Sequence, residues 1–95
     1  MQIVFFKKIN QTSYYYQIHD RQGHLFTMYS FTASWWQNNG KAREKYYTFK
    51  TRKERDRTLR QILQKKQKDG YKILYHYFRD AKEIAVSSMI KKMSI

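Results

Sequence analysis

Ninety-five residues, with 20 lysines and arginines against seven acids, give a formal net charge of +13 and a sequence pI near 10.1. That length admits one small domain and excludes a second core, while so much charge of one sign opposes compaction unless an anion or water compensates it. No run nears the roughly 20 apolar residues of a spanning helix, the order Ile3 to Phe6 then Lys7-Lys8 reverses that of a secretory signal, and the lack of cysteine removes disulfides and thiolate chemistry, which suits a cytoplasmic protein.

The aromatic share of 18% supports a folded domain, since basic disordered tails lack such residues. Ile3 to Ile9, Ser13 to His19 and His24 to about Trp36 are rich in β-branched and aromatic residues with partial alternation, so they read as strands joined by the polar turns Asn10 to Ser13 and Asp20 to Gly23. In the second run Tyr14, Tyr16 and Ile18 share the apolar face, as in a sheet packed on one side. Gln37 to Gly40 makes the next turn and Glu44 to Lys50 a fourth meandering strand. Thr51-Arg52-Lys53-Glu54 matches a capping box, so a helix is expected from there to Lys68 or Asp69, closed by Gly70. Its apolar stripe is narrow, Leu59, Ile62 and Leu63 with the stem of Lys66. Tyr71 to Phe78 alternates as a fifth strand, with Tyr71, Ile73, Tyr75 and Tyr77 on one face. From Asp80 the spacing of Ala81, Ile84, Ala85, Met89 and Met93 turns helical, which marks a second helix and a candidate homodimer contact. The expected fold class is α+β in one domain over 1–95: an antiparallel sheet of four to five strands, one long basic helix packed on it, and a shorter C-terminal helix over 79–95.

Thirteen of the twenty basic residues fall between Lys41 and Lys72, against four acids there, Glu44, Glu54, Asp56 and Asp69. Asp56 is placed to serve both Arg52 and Arg60, and few other cations have an acid four residues away, so like charges repel along the helix. A solvated basic face, or a lysine-rich composition common to a whole lineage, is the plain alternative. Counterion release from phosphates gives the cations a physical use. The candidate phosphate contacts are Lys41, Arg43 and Lys45 after the glycine turn and Arg52, Lys53, Arg55, Arg57 and Arg60 on the helix. Neighbours in a strand face opposite ways, so one of Trp35 and Trp36 enters the core and the other is the candidate for stacking on a base or ribose. Tyr15 and Tyr46 are the tyrosines expected to face outward.

Catalysis has little to build on. The acids are dispersed, Gly40-Lys41 lacks the rest of a phosphate-binding loop, and His19 and His24, either side of the Asp20 to Gly23 turn, read as a cross-strand pair rather than a metal or nuclease site. No cofactor and no metal is expected. The partner expected is nucleic acid, DNA before RNA, with no membrane; an acidic protein partner for the basic face is the alternative from another class.

Taken in order, Tyr14-Tyr15-Tyr16-Gln17-Ile18, a strand leading to tryptophan, Asn39-Gly40-Lys41, an aromatic strand from Tyr46 to Phe49, a basic helix and Lys68-Asp69-Gly70-Tyr71 resemble the WGR domain over residues 2 to 78. The resemblance implies a curved antiparallel sheet with one helix and a role at DNA. The Trp-Gly-Arg tripeptide itself is absent, with Phe31-Thr32-Ala33 at the expected distance before the glycine turn, so no residue role is carried over. Phe49-Lys50-Thr51-Arg52-Lys53-Glu54 is similar to the helix entry of the arm-type DNA-binding domains of integrases, which a strand after the helix does not fit.

Overall fold

A computed structural model describes residues 1–20 and 29–77. Over these the chain forms β1 (Gln2–Ile9), β2 (Thr12–His19), β3 (Tyr29–Gln37), β4 (Arg43–Phe49), α1 (Arg52–Lys68) and β5 (Lys72–Tyr77). The strands make one antiparallel sheet in the order β4-β3-β2-β1-β5. The fold is therefore α+β, with one helix among the described residues. The predicted second helix from Asp80, its dimer contact and the His24 to Met28 part of the third predicted strand lie outside those residues.

Pairing follows the alternation in the sequence. Ile3 lies opposite Ile18 and Ile18 opposite Ala33, while Phe5 lies opposite Tyr16 and Tyr16 opposite Trp35. A single face of β1, β2 and β3 thus collects Ile3, Phe5, Tyr16, Ile18, Phe31 and Ala33, and α1 covers it with Leu59 and Leu63, all of them buried. Burying each large side chain of this set contributes about 1.5–3 kcal/mol. The other face, free of α1, carries a ring ladder in which Tyr15 stacks on Trp36 at 5.2 Å and 10° and Phe6 tilts against Tyr15 at 5.3 Å.

Both helix ends fall where the sequence predicts, with the threonine half of the capping box present. Thr51 is the N-cap, its Oγ1 accepting the Glu54 amide at 3.1 Å. At the other end the Tyr71 amide donates to the Lys66 carbonyl at 3.0 Å and the Gly70 amide to the Gln67 carbonyl at 3.1 Å, the paired bonds of a Schellman motif. Gly70 has φ +92, and its Cβ position is open, so a side chain there meets backbone strain and no clash. Gly70→Ala is expected to lower stability by about 1 kcal/mol, read as a lower urea midpoint with an unchanged m-value.

Two expectations are corrected. The face shared by Ile73, Tyr75 and Tyr77 does not exist, because the β1–β5 register shifts between Val4 and Phe5: Phe5 pairs with Ile73 but Val4 with Tyr75. The residue skipped, Leu74, is a bulge, and beyond it Tyr75 and Tyr77 stand opposite Val4 and Gln2 on the face away from α1, about half exposed. Second, Asp56 is not shared between Arg52 and Arg60; it binds Arg55, whose Nε and Nη2 donate to Asp56 Oδ1 at 3.1 and 3.0 Å.

Candidate nucleic-acid interface

The chain path decides which cations meet. β4 runs away from the Gln37 to Gly40 turn, and α1 starts beyond Phe49 and returns, so the C-terminal turn of the helix comes back to the end of the sheet where β1 meets β2 and β3 meets β4. Asn38, at φ 51, locks two of these turns together: its amide donates to the Ser13 carbonyl at 2.8 Å and its Oδ1 accepts the Ser13 amide at 2.8 Å. Gly40 is needed beside it, because a Cβ there would lie 2.9 Å from the Gln37 carbonyl oxygen.

At this end lysines and rings interleave. Lys66 Nζ lies 4.1 Å from the centre of the Tyr16 ring and 5.2 Å from that of Tyr71. Lys7 Nζ lies 4.5 Å from Tyr71 and 5.4 Å from Tyr14, and donates to the Asp69 carbonyl at 3.2 Å. Lys45 Nζ sits 4.9 Å from the Tyr47 ring. Such contacts contribute about 0.5–1 kcal/mol where exposed and more where water is excluded. Burial holds the Lys66 ammonium below the ordinary lysine range; Asp69 pulls it back up, and the Lys65 and Lys7 charges push it down again. Burial raises the phenol pKa of Tyr16 and of Tyr71, so both rings stay neutral at ordinary pH and keep their π-faces for the cations. Among the described lysines and arginines, Arg55 alone is ion-paired to a carboxylate.

Two cavities open here. One, of about 300 Å³, lies between α1 and the sheet, walled by Tyr16, Trp35, Tyr47 and Tyr71 and rimmed by Lys65 and Lys66. The other, of about 440 Å³, continues past Trp35 and Tyr71 to Trp36, Lys41 and Arg43. A third hollow, of about 500 Å³ on the face away from α1, is lined by Gln17, Thr32, Ser34 and Thr48 and has Glu44 as its charged acid, hydrogen-bonded by the Tyr46 hydroxyl at 2.9 Å. With an acid, the imidazole of His19 and no lysine or arginine in its wall, that hollow is a poorer place for a phosphate.

Of the predicted site residues, Trp35, Trp36, Lys41, Arg43 and Lys45 gather at this end. Trp35 is the indole on the core side, stacked on Tyr16 at 6.0 Å and 17°, and Trp36 stands on the opposite face against Tyr15. Both are half-buried. Tyr46 is exposed as expected, and Tyr15 is sandwiched in the ring ladder. The helix residues Arg52, Lys53, Arg55, Arg57 and Arg60 sit in the opposite half of α1, and the 14 rises from Arg52 to Lys66 correspond to about 21 Å of helix axis. Lys53, Arg57 and Arg60 are exposed there, Arg52 leans on the Tyr29 ring at 5.7 Å, and Arg55 is buried on Asp56. Lys7, Lys65 and Lys66 complete the cationic end although the candidate set omits them. The signal for Lys7 was the alternation Ile3, Phe5, Lys7; for Lys66 it was its place four residues after Ile62.

Among the described residues no three histidine, aspartate or glutamate side chains gather as a metal site requires, and no helix is long and apolar enough to cross a membrane. His19 lies opposite Gln2 and Thr32, and His24, its predicted partner, is outside the described residues. In comparisons with protein families, curated proteins and solved structures, the chain matches none. The resemblance to the WGR domain therefore rests on the order of the elements alone.

Proposed function

We propose that this chain is a small basic DNA-binding protein that grips phosphates at one end of its sheet with little sequence preference. The observation that carries the reading is the gathering of Lys7, Lys41, Arg43, Lys65 and Lys66 around tyrosine and tryptophan rings, none of these cations being ion-paired to a carboxylate among the described residues. Phosphate contacts position a protein without reading bases, so affinity follows salt more than sequence. Five contacts imply a log–log salt slope of about −4.5 and a loss of roughly 500-fold in affinity between 50 and 200 mM salt. Anisotropy of a fluorescent duplex across that range measures it. No binding at 50 mM, or affinity that barely moves with salt, would sink the reading. Preferential displacement of the duplex by single-stranded RNA would transfer it to RNA, and a stoichiometric acidic protein surviving nuclease treatment would transfer it to protein recognition.

A further inference from the structure

The cleft between the C-terminal half of α1 and the sheet has a chemistry that phosphate contacts alone do not use. Its walls are four aromatic residues, Tyr16, Trp35, Tyr47 and Tyr71, with Ile62 beside them, and its rim is Lys65 and Lys66. A surface meant only for the outside of a duplex needs cations and no aromatic recess, because paired bases keep their faces within the stack. At about 300 Å³ the cleft lies at the lower end of the range for small-ligand sites, roughly 300–1,000 Å³, which suits one ring system and its attached sugar. An aliphatic side chain or lipid tail would meet two ammonium groups at the rim. A flat, anionic ligand would meet rings with π-faces and cations already inside the recess, since Lys66 Nζ lies 4.1 Å over Tyr16. The second cavity adjoins the recess, with Trp35 and Tyr71 in the walls of both, and its own wall carries Lys41 and Arg43. Cations for a neighbouring phosphate therefore lie next to the recess.

We infer that this cleft takes one unpaired nucleotide, its base against Trp35 and Tyr71 and its phosphate on Lys65 and Lys66. The inference rests on the nucleic-acid reading above and adds to it a preference for DNA that offers a base outside the stack. Lys66 has the reach for the phosphate: it follows Ile62 and Leu63 on the helix stripe at four and three residues, and its ammonium, although within the field of Asp69, is not ion-paired to a carboxylate among the described residues. Gly70 places Tyr71 on the opposite wall through the helix-closing bonds, and Lys7 on the Tyr71 ring steadies it from the β1 side.

The test compares two hairpin DNAs of the same stem, one fully paired and one with a single unpaired adenine at mid-stem, by anisotropy at one fixed salt concentration. Stacking one base on an aromatic wall corresponds to a roughly 5- to 150-fold preference for the bulged hairpin. Lys66→Gln and Tyr71→Ala should each bring that ratio close to one. A Trp36→Phe protein leaves Trp35 as its only indole, and its emission should be quenched by the bulged hairpin and not by the paired one. Should Tyr71→Ala fail to fold, Lys66→Gln and the Trp35 emission still decide. Equal binding of both hairpins with unchanged Trp35 emission overturns the cleft assignment and leaves the phosphate reading intact, as does a preference that persists in Lys66→Gln. Binding to neither hairpin overturns both.

Discussion

Replacing Lys7, Lys65 and Lys66 together with glutamine is expected to weaken duplex binding at 100 mM salt by roughly 10²–10³-fold and to make the salt slope shallower by about 2.7. These three ammonium groups approach one another from β1 and from the last turns of α1, with Tyr71 between Lys7 and Lys66. The matched control is Lys53, Arg57 and Arg60 replaced together, which removes the same formal charge from the exposed far half of the helix. If net charge alone drew the nucleic acid, both triple variants would lose affinity alike; if geometry matters, the far-half variant keeps most of it. Equal losses would refute the assignment of the site to the helix C-terminal end. Because Lys7 and Lys66 rest on tyrosine rings, Lys65 is exposed, and none of the three is ion-paired to a carboxylate among the described residues, their exchange for a neutral side chain of similar length should change stability by no more than about 1 kcal/mol per site. Circular dichroism of the variants checks that the loss is one of binding.

The second large effect is on the helix itself. Leu59→Ala and Leu63→Ala are each expected to cost about 2–5 kcal/mol, against a total stability on the order of 5–15 kcal/mol for a domain of this kind. Both side chains are fully buried under a stripe with few substitutes, since Ile62 is only half-buried and the remaining buried member of the helix is the arginine Arg55. Urea unfolding measures the cost through the midpoint. The double variant should lack a cooperative transition, and with the helix loosened Lys65 and Lys66 leave the site, so DNA affinity should fall although no cation has been removed. A double variant that still melts cooperatively near the parent's midpoint would show that α1 is held by something other than its leucine stripe.

Features that depend on neighbours in sequence were readable there. Thr51 and Glu54 mark the helix start, Gly70 its end, and the alternation of Tyr14, Tyr16 and Ile18 the buried face of β2. Features that depend on which element lies across the sheet were not. The bulge at Leu74 is imposed by pairing with β1, and nothing in Tyr71 to Phe78 announces it. Arg55 reads as one more cation, yet it lies four residues before Leu59 and eight before Leu63 and so falls on the buried stripe; the spacing was present and the charge obscured it. The cationic site was half legible for the same reason. Lys41, Arg43 and Lys45 could be named because they follow a visible turn, whereas the meeting of Lys7 with Lys66 requires the return direction of α1 and the placement of β5 beside β1. The two cationic stretches on either side of β4 do not converge as whole units: the hairpin tip meets the end of the helix, and the start of the helix stays apart.

The position of β1 bears on how the molecule comes to be assembled. It pairs on one side with β2, reached through a two-residue turn, and on the other with β5, where Gln2 lies opposite Tyr77. Closing a loop of that size costs more entropy than any other contact in the sheet, and such pairings form late and slowly. The meander of four strands is therefore expected to precede the last strand, with α1 bridging from one edge of the sheet to the other before β5 can dock. Tyr71 is tied to the helix end by its bond to Lys66, and the contacts of its ring with Phe5 and Lys7 of β1 are completed as that edge closes. The proposed aromatic recess would then belong to the finished molecule rather than to its basic segments.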